Sequence, residues 1–527
     1  MSKTLSTYNL ADIWEAVSDR VPERIAISCA GRHLTYADLE DSANRLANWL
    51  TSQGVGAGDH VGIYLTNGPE YLEAMFAAFK IRAVPVNINF RYVADELRYL
   101  FTNAGLVALV HGAEFDERVD EVWDDVPTLR VRSTVGRDHE DHLAQADPSR
   151  PEVERSADDH YLIYTGGTTG LPKGVVWRQE DAFFACIGGG DPMRLNGPVN
   201  EPGEVLDRII DFDFTAYPLA PLMHAAAQWT SISWLFCGAR VVLSPGSFDP
   251  VEVWRTVERE KVSTLIMVGD AMARPLIDAW EAHGPFDVSS MYAVGSGGAP
   301  LTIGLKERLH ELLPNAMITD GFGSSETGAQ GAQRLQPGQH SPGVSRFDRM
   351  GEGTTVLDDD LQPVTPGSGV IGRVALTGRI PVGYHNEPEA SAATFVEVDG
   401  RRWVVTGDAA TVEEDGSITL LGRGSVSINT GGEKVFPEEV ESALKQHPAV
   451  YDAVVVGVPD DRFGECVAAV VQLTPGDTAT LEQLADHCRA FIAGYKVPRS
   501  LTIVDEVVRS PVGKADYRWA RATATAQ

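Results

Sequence analysis

Short apolar runs alternate with amphipathic segments from about residue 24 to residue 88, and this rhythm limits the fold more than any other feature of the chain. Residues 24–29, 60–65 and 84–88 are apolar and too short for buried helices, so they are predicted as strands. Between them Thr35 is placed to cap a helix over 36–53, with Leu39, Ala43, Leu46 and Leu50 recurring on one face. A second helix is predicted over 71–81. Strands joined through helices pair in parallel and must be covered on both faces, so the class is α/β. Residues 138–159 are polar with two prolines and are predicted to be a surface connection. The rhythm resumes with strands predicted over 161–164, 240–243, 264–268 and 292–294. Beyond about residue 350 the character changes, and 354–359 and 370–377 are predicted as strands joined by Gly/Pro turns. A last unit begins near Gly424. It has an acidic helix start at Pro437-Glu438-Glu439-Val440-Glu441, strands over 453–458 and 467–472, and a helix around 481–493. That unit is predicted to be a small α+β domain on a flexible joint.

A chain of 527 residues exceeds one ordinary core, so at least two domains are expected. The formal charge of −30 opposes nucleic acid and anionic lipid heads. An anionic ligand must therefore be held by local cations and backbone N–H groups. The five cysteines, Cys29, Cys186, Cys237, Cys466 and Cys488, are scattered without a C-x-x-C pair, which suggests neither a zinc site nor a disulfide framework. The N-terminal residues lack the apolar core of a signal peptide, and no apolar run reaches spanning length, so a cytoplasmic location is expected. Peripheral membrane contact and oligomeric state stay open, a homodimer among them.

The strongest local signal is Tyr164-Thr165-Gly166-Gly167-Thr168-Thr169-Gly170-Leu171-Pro172-Lys173-Gly174-Val175, which follows a predicted strand. Glycines let backbone N–H groups approach a polyphosphate, threonine hydroxyls add donors, and Lys173 adds a cation. It is not a Walker A loop, because Pro172 precedes the lysine and Gly174 follows it.

This loop resembles the signature of the adenylate-forming superfamily: acyl-CoA synthetases, adenylation domains of peptide synthetases, and beetle luciferases. Companion motifs follow in family order from about residue 8 to about residue 520. Asp320-Gly321-Phe322-Gly323-Ser324-Ser325-Glu326-Thr327-Gly328 is similar to the segment in which, by resemblance, Phe322 stacks on adenine, Ser325 meets phosphate and Glu326 holds Mg²⁺. The family more often has Tyr at Phe322, so stacking is kept and one hydroxyl is lost. Gly295-Ser296-Gly297-Gly298-Ala299-Pro300 resembles the lining of the adenine and acyl pockets, and Thr406-Gly407-Asp408 the ribose-binding triplet. Gly422-Arg423 resembles the end of the large domain, with Arg423 reaching ribose or phosphate. Arg509-Ser510-Pro511-Val512-Gly513-Lys514 resembles the loop carrying the adenylation lysine, Lys514. Asn429-Thr430-Gly431-Gly432-Glu433-Lys434 resembles the segment that gives the pantetheine arm of coenzyme A room, at Gly431 and Gly432. Ser425 stands at the hinge position, where the family usually has Asp or Lys.

The resemblance implies a large multi-sheet N-terminal domain with βαβ layers, residues 1–422, and a small mobile α+β C-terminal domain, residues 423–527. It implies an enzyme that converts a carboxylic acid and Mg·ATP to acyl-AMP and pyrophosphate, then passes the acyl group to coenzyme A after the small domain rotates. His224, in Pro221-Leu222-Met223-His224-Ala225, matches a family histidine beside the acyl site and either gates the second step or packs in the core. By the same resemblance Ala226 and Ala227 stand on one wall of that site with Gly297 and Gly298 opposite, which leaves an apolar space. The expected acid is bulky and apolar: a medium- or long-chain fatty acid or a steroid side-chain acid. An acyl-AMP ligase loading a separate carrier protein and an aromatic-acid CoA ligase are the alternatives. Within the superfamily the chain is most similar to actinobacterial fatty-acid and steroid side-chain CoA ligases, in Asn89-Phe90-Arg91-Tyr92, in the segment 269–275 and in the segment 422–429.

Overall fold

The structure is a computed structural model that describes residues 5–165, 171–339, 346–351, 353–430, 433–460, 464–509 and 513–526. The predicted N-terminal helix forms over Tyr36–Ser52. Thr35 and Asp38 close a capping box: Asp38 N–H donates to the Thr35 hydroxyl at 3.0 Å, and Thr35 N–H donates to the Asp38 carboxylate at 2.8 Å. Leu39, Ala43, Leu46 and Leu50 are fully buried along it. The next helix, Pro69–Lys80, is buried nearly all round, because it is wedged between layers instead of lying on a surface. Its Lys80 ends in the dry interior and is neutralised by Glu15 and Glu40, each at 2.8 Å.

These helices cover two sheets. One runs, in spatial order, Gly383–Tyr384, Lys173–Arg178, His160–Thr165, Val84–Asn87, His60–Tyr64, Leu106–Gly112 and Val131–Val135. It is parallel from His160–Thr165 onward and antiparallel at the other edge. The longer sheet has a parallel centre, Ile25–Cys29, Arg240–Leu243, Thr215–Pro218, Thr264–Met267, Ala293–Gly297 and Met317–Ser324. Past Met317–Ser324 it turns antiparallel and ends in the Gly/Pro-linked strands, with Arg401–Val412 paired to Ile418–Arg423. The first buried cluster joins both sheets through the helices between them.

A smaller unit follows. Its sheet is built on the long hairpin Val450–Asp460 and Gly464–Leu473, with Ser500–Val504 parallel to the second strand. The helices Pro437–Lys445 and Leu481–Cys488 pack on one face around Val440, Leu444, Val455 and Leu484. The helix Tyr517–Thr525 covers the other face through Ala520. The architecture is thus a large multi-sheet N-terminal domain and a small α+β C-terminal domain.

Two expectations need correction. Residues 138–159 are not merely a surface connection: they contain the helix His139–Gln145, and His139 is buried. Its two ring nitrogens meet the Glu73 carboxylate at 2.8 Å and the Ser133 hydroxyl at 2.9 Å, so a polar-looking segment is pinned inward by hydrogen bonds. The strand expected at 292–294 instead runs Ala293–Gly297, because its Ser and Gly residues pair in register with Met317–Ser324. Among the described residues, no helix is long and apolar enough to cross a membrane.

Candidate active site

The C-terminal ends of the parallel strands Ala293–Gly297 and Met317–Ser324 lie side by side, with Gly297 opposite Gly321. Past them Gly298 turns with φ +79°, a conformation that favours glycine, and a Cβ there would meet nothing nearer than Val268 at 3.9 Å. The result is a wall of bare backbone, the surface a flat ring can approach. The wall is braced from behind by the start of the helix Gly269–His283. Gly269 N–H donates to the Ser296 hydroxyl at 3.1 Å, and Asp270 N–H to the Pro300 carbonyl at 3.0 Å. A Cβ on Gly269 would come within 2.4 Å of that carbonyl, so only glycine lets the two segments close.

Asp320 does not present its carboxylate to this wall. It is 4% exposed and ion-paired to the buried Lys306 at 2.7 Å. Burial pushes its carboxyl up to about 6, against the lowering effect of Lys306. Lys306 also donates to the Gln333 side chain at 2.7 Å, so Asp320 anchors the strand from beneath. Phe322 is half-buried; its ring meets Phe347 edge to face at 5.0 Å and fits only because Gly331 lacks a side chain.

Of the residues expected at the phosphates, Thr165 and Lys173 face each other across the hairpin His160–Thr165 and Lys173–Arg178. Gly166, Gly167, Thr168 and Thr169, in the loop between them, lie outside the described residues. The pairing of Gly383 with Val176 swings Tyr384 over this hairpin. The Lys173 ammonium lies 5.4 Å from the Tyr384 ring centre, and the Tyr384 hydroxyl donates to Glu326 Oε1 at 2.9 Å. Trp177 Nε1 donates to the Ser325 carbonyl at 3.0 Å. The hairpin and the Ser325-Glu326 turn are therefore tied together by the protein's own contacts. One half-buried carboxylate suits a magnesium ion held mainly by phosphate oxygens, since Mg²⁺ takes few protein ligands at such sites. Asp408 and Arg423 are direct partners in the antiparallel pair Arg401–Val412 and Ile418–Arg423. Asp408 is half-buried, and its N–H donates to the Thr406 hydroxyl at 3.3 Å. Ser425 falls in the single 3₁₀ turn Gly424–Val426, between the last strand of the long sheet and Ile428–Thr430 of the small one.

His224, expected beside the acyl site, is the residue before the helix Ala225–Phe236, and its N–H donates to the Pro221 carbonyl at 3.0 Å. Its Nε2 is buried with no hydrogen-bond partner among the described residues. Burial first, then the positive charges of Arg91 and Lys514, lower its pKa to about 4, so the ring is neutral near pH 7. Asn87 sets its place: the side-chain amide donates to the Tyr164 carbonyl at 2.9 Å and to the Met223 carbonyl at 2.7 Å, and accepts from Tyr164 N–H at 2.7 Å. Of the three alanines, Ala226 is exposed, whereas Ala225 and Ala227 belong to the core. Of the pair expected on one wall, Ala226 is therefore open and Ala227 points into the core, about 100° round the helix.

Lys514 comes from the far end of the chain, yet its charge acts on His224. Gly513 reaches the N-terminal domain: at φ +76° it packs so closely that a Cβ would lie 2.5 Å from the Ala271 methyl. Gly431 and Gly432 lie outside the described residues. Asn87, Tyr384 and Lys306 were not singled out from the sequence. No local motif marks them, because their roles arise from strand pairing between distant segments.

Known proteins match this arrangement. The family described as AMP-binding enzyme matches residues 14–382, and its C-terminal domain matches residues 439–514. The chain is 47% identical over 530 residues to a 3-oxocholest-4-en-26-oate–CoA ligase of Rhodococcus rhodochrous, covering 97% of this chain and 95% of that protein. It is 49% identical over 525 residues, with the same coverage, to a medium/long-chain-fatty-acid–CoA/3-oxocholest-4-en-26-oate–CoA ligase of Mycobacterium tuberculosis. Among solved structures, the anthranilate CoA ligase AuaEII in complex with anthranoyl-AMP superposes with a TM-score of 0.86 at 26% identity, over 99% of this chain and 98% of that one.

Proposed function

The chain belongs to the AMP-binding enzyme family, and we propose that it is an ATP-dependent acyl-CoA synthetase acting on a bulky apolar acid. The observation that carries this reading is the docking of the Lys514 loop on the large domain: Gly513 packs against Ala271, and the Lys514 charge acts on the half-buried His224 beside the Asn87-anchored hairpin. A cation there faces the point where negative charge accumulates as an acid oxygen attacks the α-phosphorus. That attack forms the acyl–phosphate bond and breaks the bond to the bridging oxygen, so pyrophosphate leaves with the electron pair. Thr165, Lys173 and the loop between them hold the outgoing phosphates. Phe322, Asp408 and Arg423 hold adenine and ribose, and Gly297, Gly298, Ala299, Pro300 and Gly321 bound the slot. Magnesium, when bound, neutralises phosphate charge, with Glu326 as its protein ligand. No covalent enzyme nucleophile is needed, because positioning and charge neutralisation suffice.

In the second step residues 423–527 rotate as a mobile domain about Ser425, Lys514 leaves, and the thiol of coenzyme A enters past Gly431 and Gly432. The sulfur bonds to the acyl carbon, the bond from that carbon to the phosphate oxygen breaks, AMP leaves with the electron pair, and the thiol proton is released to solvent. Ala226 is exposed and the Gly297–Gly298 backbone is bare, which supports apolar room if the two face one pocket as the family resemblance implies, and the names of the relatives above agree with a fatty or steroid side-chain acid. Each buried CH₂ of a fitting acid contributes ~0.8 kcal/mol, so kcat/KM is expected to rise with chain length well beyond C4.

The test is pyrophosphate release with dodecanoic acid. Lys514→Ala is expected to lose ~10²–10³-fold, the usual cost of one preorganised charge contact. Release near the wild-type rate would overturn the assignment. For the substrate class, Ala226→Trp is expected to shift preference toward shorter acids, and an unchanged chain-length profile would refute the open wall.

A further inference from the structure

Lys514 is useful in the first step only while the small domain is held against the large one, so the contacts that hold it there carry information about catalysis. The contact surface contains a nearly dry charge chain. Asp270 opens the helix Gly269–His283 behind the nucleotide-side wall. Its backbone N–H donates to the Pro300 carbonyl at 3.0 Å, and its Oδ1 accepts from Thr302 N–H at 2.7 Å. Its other oxygen, Oδ2, accepts from the Lys445 ammonium of the small domain at 3.2 Å. Lys445 is 5% exposed and also meets Asp452 at 3.3 Å. Asp452 is gripped by Arg509, through Nε at 2.6 Å and a second guanidinium nitrogen at 2.7 Å. The remaining terminal nitrogen of Arg509 donates to the Gly513 carbonyl at 3.2 Å, one peptide from Lys514. At the rim, Tyr451 donates its hydroxyl to Asp278 at 3.0 Å and lies under Arg274 at 4.7 Å.

Each member has a physical reason to stay. A lysine this deep needs opposite charge, and a fork of guanidinium nitrogens fixes the Asp452 carboxylate in direction as well as distance. The side chain of Asp270 binds the wall with one oxygen and the other domain with the second. The position of the 298–302 turn and the position of the Gly513-Lys514 loop are therefore referred to one carboxylate.

Resting on the synthetase reading above, we propose that Lys445 and Asp270 are positioning residues for Lys514, forming an ionic latch that holds the small domain in its acyl-adenylate-forming pose and must open before the thiol step. Lys445 keeps Asp452 when the domains part, so opening removes one partner and does not strand the cation. The latch is strong enough to bias the pose and weak enough to release it once per turnover.

The test uses the full-length enzyme and two assays: pyrophosphate release with dodecanoic acid, and thioester formation from supplied dodecanoyl-adenylate and coenzyme A. Lys445→Met is expected to slow pyrophosphate release ~10-fold, largely through kcat, because the uncoupled domain docks less often, a loss of ~1.4 kcal/mol. Thioester formation is expected to be unchanged or faster. Asp270→Asn keeps the oxygen that accepts from Thr302 and removes the charge that Lys445 needs, so it is expected to reproduce the same split. Lys445→Arg is expected to restore most of the first step, and the double variant Asp270→Asn/Lys445→Met to be no worse than either single one. Equal loss of both half-reactions, or an unchanged first step in both single variants, overturns the latch. If Lys514→Ala stops pyrophosphate release while Lys445→Met does nothing, only the latch fails. If Lys514→Ala itself is silent, the synthetase reading fails with it.

Discussion

Two buried lysine–aspartate pairs lie close together in this protein, and they differ in what surrounds them. Lys306 and Asp320 meet at 2.7 Å wholly inside the large domain, with Gln333 as the lysine's further partner. Lys445 and Asp270 meet at 3.2 Å across the contact between domains, and Lys445 has a second carboxylate in its own domain. Desolvation penalises both pairs. In the first, both side chains are buried by the large domain itself, so a movement between domains neither separates nor hydrates them. In the second, moving one domain hydrates Asp270 and leaves Lys445 with Asp452. The same pair of residue types therefore serves as a fixed anchor in one place and a reversible joint in the other, and the difference lies in the alternatives each partner has when the pair is broken.

The most severe break of this contrast is Lys306→Met. It leaves Asp320 dry and unpaired, and removal of one partner of a buried ion pair costs about 3–5 kcal/mol. Urea unfolding should show that loss, and a change below ~1 kcal/mol would mean that Asp320 is not the anchor described. The variant should also lose less stability at mildly acidic pH, because protonating Asp320 relieves the stranded charge.

His224 supplies the next test, since its ring responds to Lys514 and hence to docking. Its folded pKa of about 4 lies below the usual histidine value of about 6.5. Between those values the unfolded chain binds a proton that the native chain refuses, so stability falls as pH falls through that window, by on the order of 3 kcal/mol. His224→Gln should remove that part of the acid limb in denaturation measured across pH 4 to 6.5. An identical limb in the variant would show that the ring is not held neutral. The ring also sharpens the comparison: Lys514→Ala should raise its pKa, followed by NMR titration, and Lys445→Met should raise it by less.

Glu326→Gln is a milder intervention, because that carboxylate is paired with the neutral Tyr384 hydroxyl instead of a cation. Apparent magnesium affinity in pyrophosphate release is expected to weaken roughly 10-fold, the ~1.4 kcal/mol scale of one charged contact, with the melting temperature unchanged. Unaltered magnesium dependence would end the assignment. The smallest stability effect expected is that of Lys445→Met by urea, below the loss in Lys306→Met, since Asp452 keeps Arg509 and Asp270 keeps Thr302 N–H and is hydrated when the domains part. If that loss equals the loss in Lys306→Met, the distinction between anchor and joint collapses.

Much of the architecture was legible because local patterns and tertiary structure agree. Thr35 with Asp38, and the apolar spacing of Leu39, Ala43, Leu46 and Leu50, specify a helix end and a face without reference to anything distant. The run at 240–243 is bounded by its own turns and appears as the strand Arg240–Leu243. What stayed hidden has a common cause. His139 looks like part of a solvated segment until Glu73 and Ser133 arrive from elsewhere. Lys306 falls at an ordinary position of an amphipathic helix, and its burial depends on Asp320 and Gln333 of neighbouring strands. Asp320 itself was expected at the nucleotide and instead faces inward, because a motif gives residue order and says nothing of which side of a strand each member occupies. Ala227 was expected on the same wall as Ala226 and is instead packed in the core, because neighbours on a helix point about 100° apart and only Ala226 faces outward.

Asn87 has a consequence beyond the single turnover. One amide holds the carbonyl of Tyr164, at the root of the phosphate hairpin, and the carbonyl of Met223, at the root of the acyl helix. Both grips are on main chain, so on the function proposed above the span from acid to triphosphate does not depend on the side chains that line either pocket. Positions such as Ala226 can then drift to suit a new acid while the reacting atoms stay in register. A lineage carrying this brace can diversify its diet without re-evolving its chemistry.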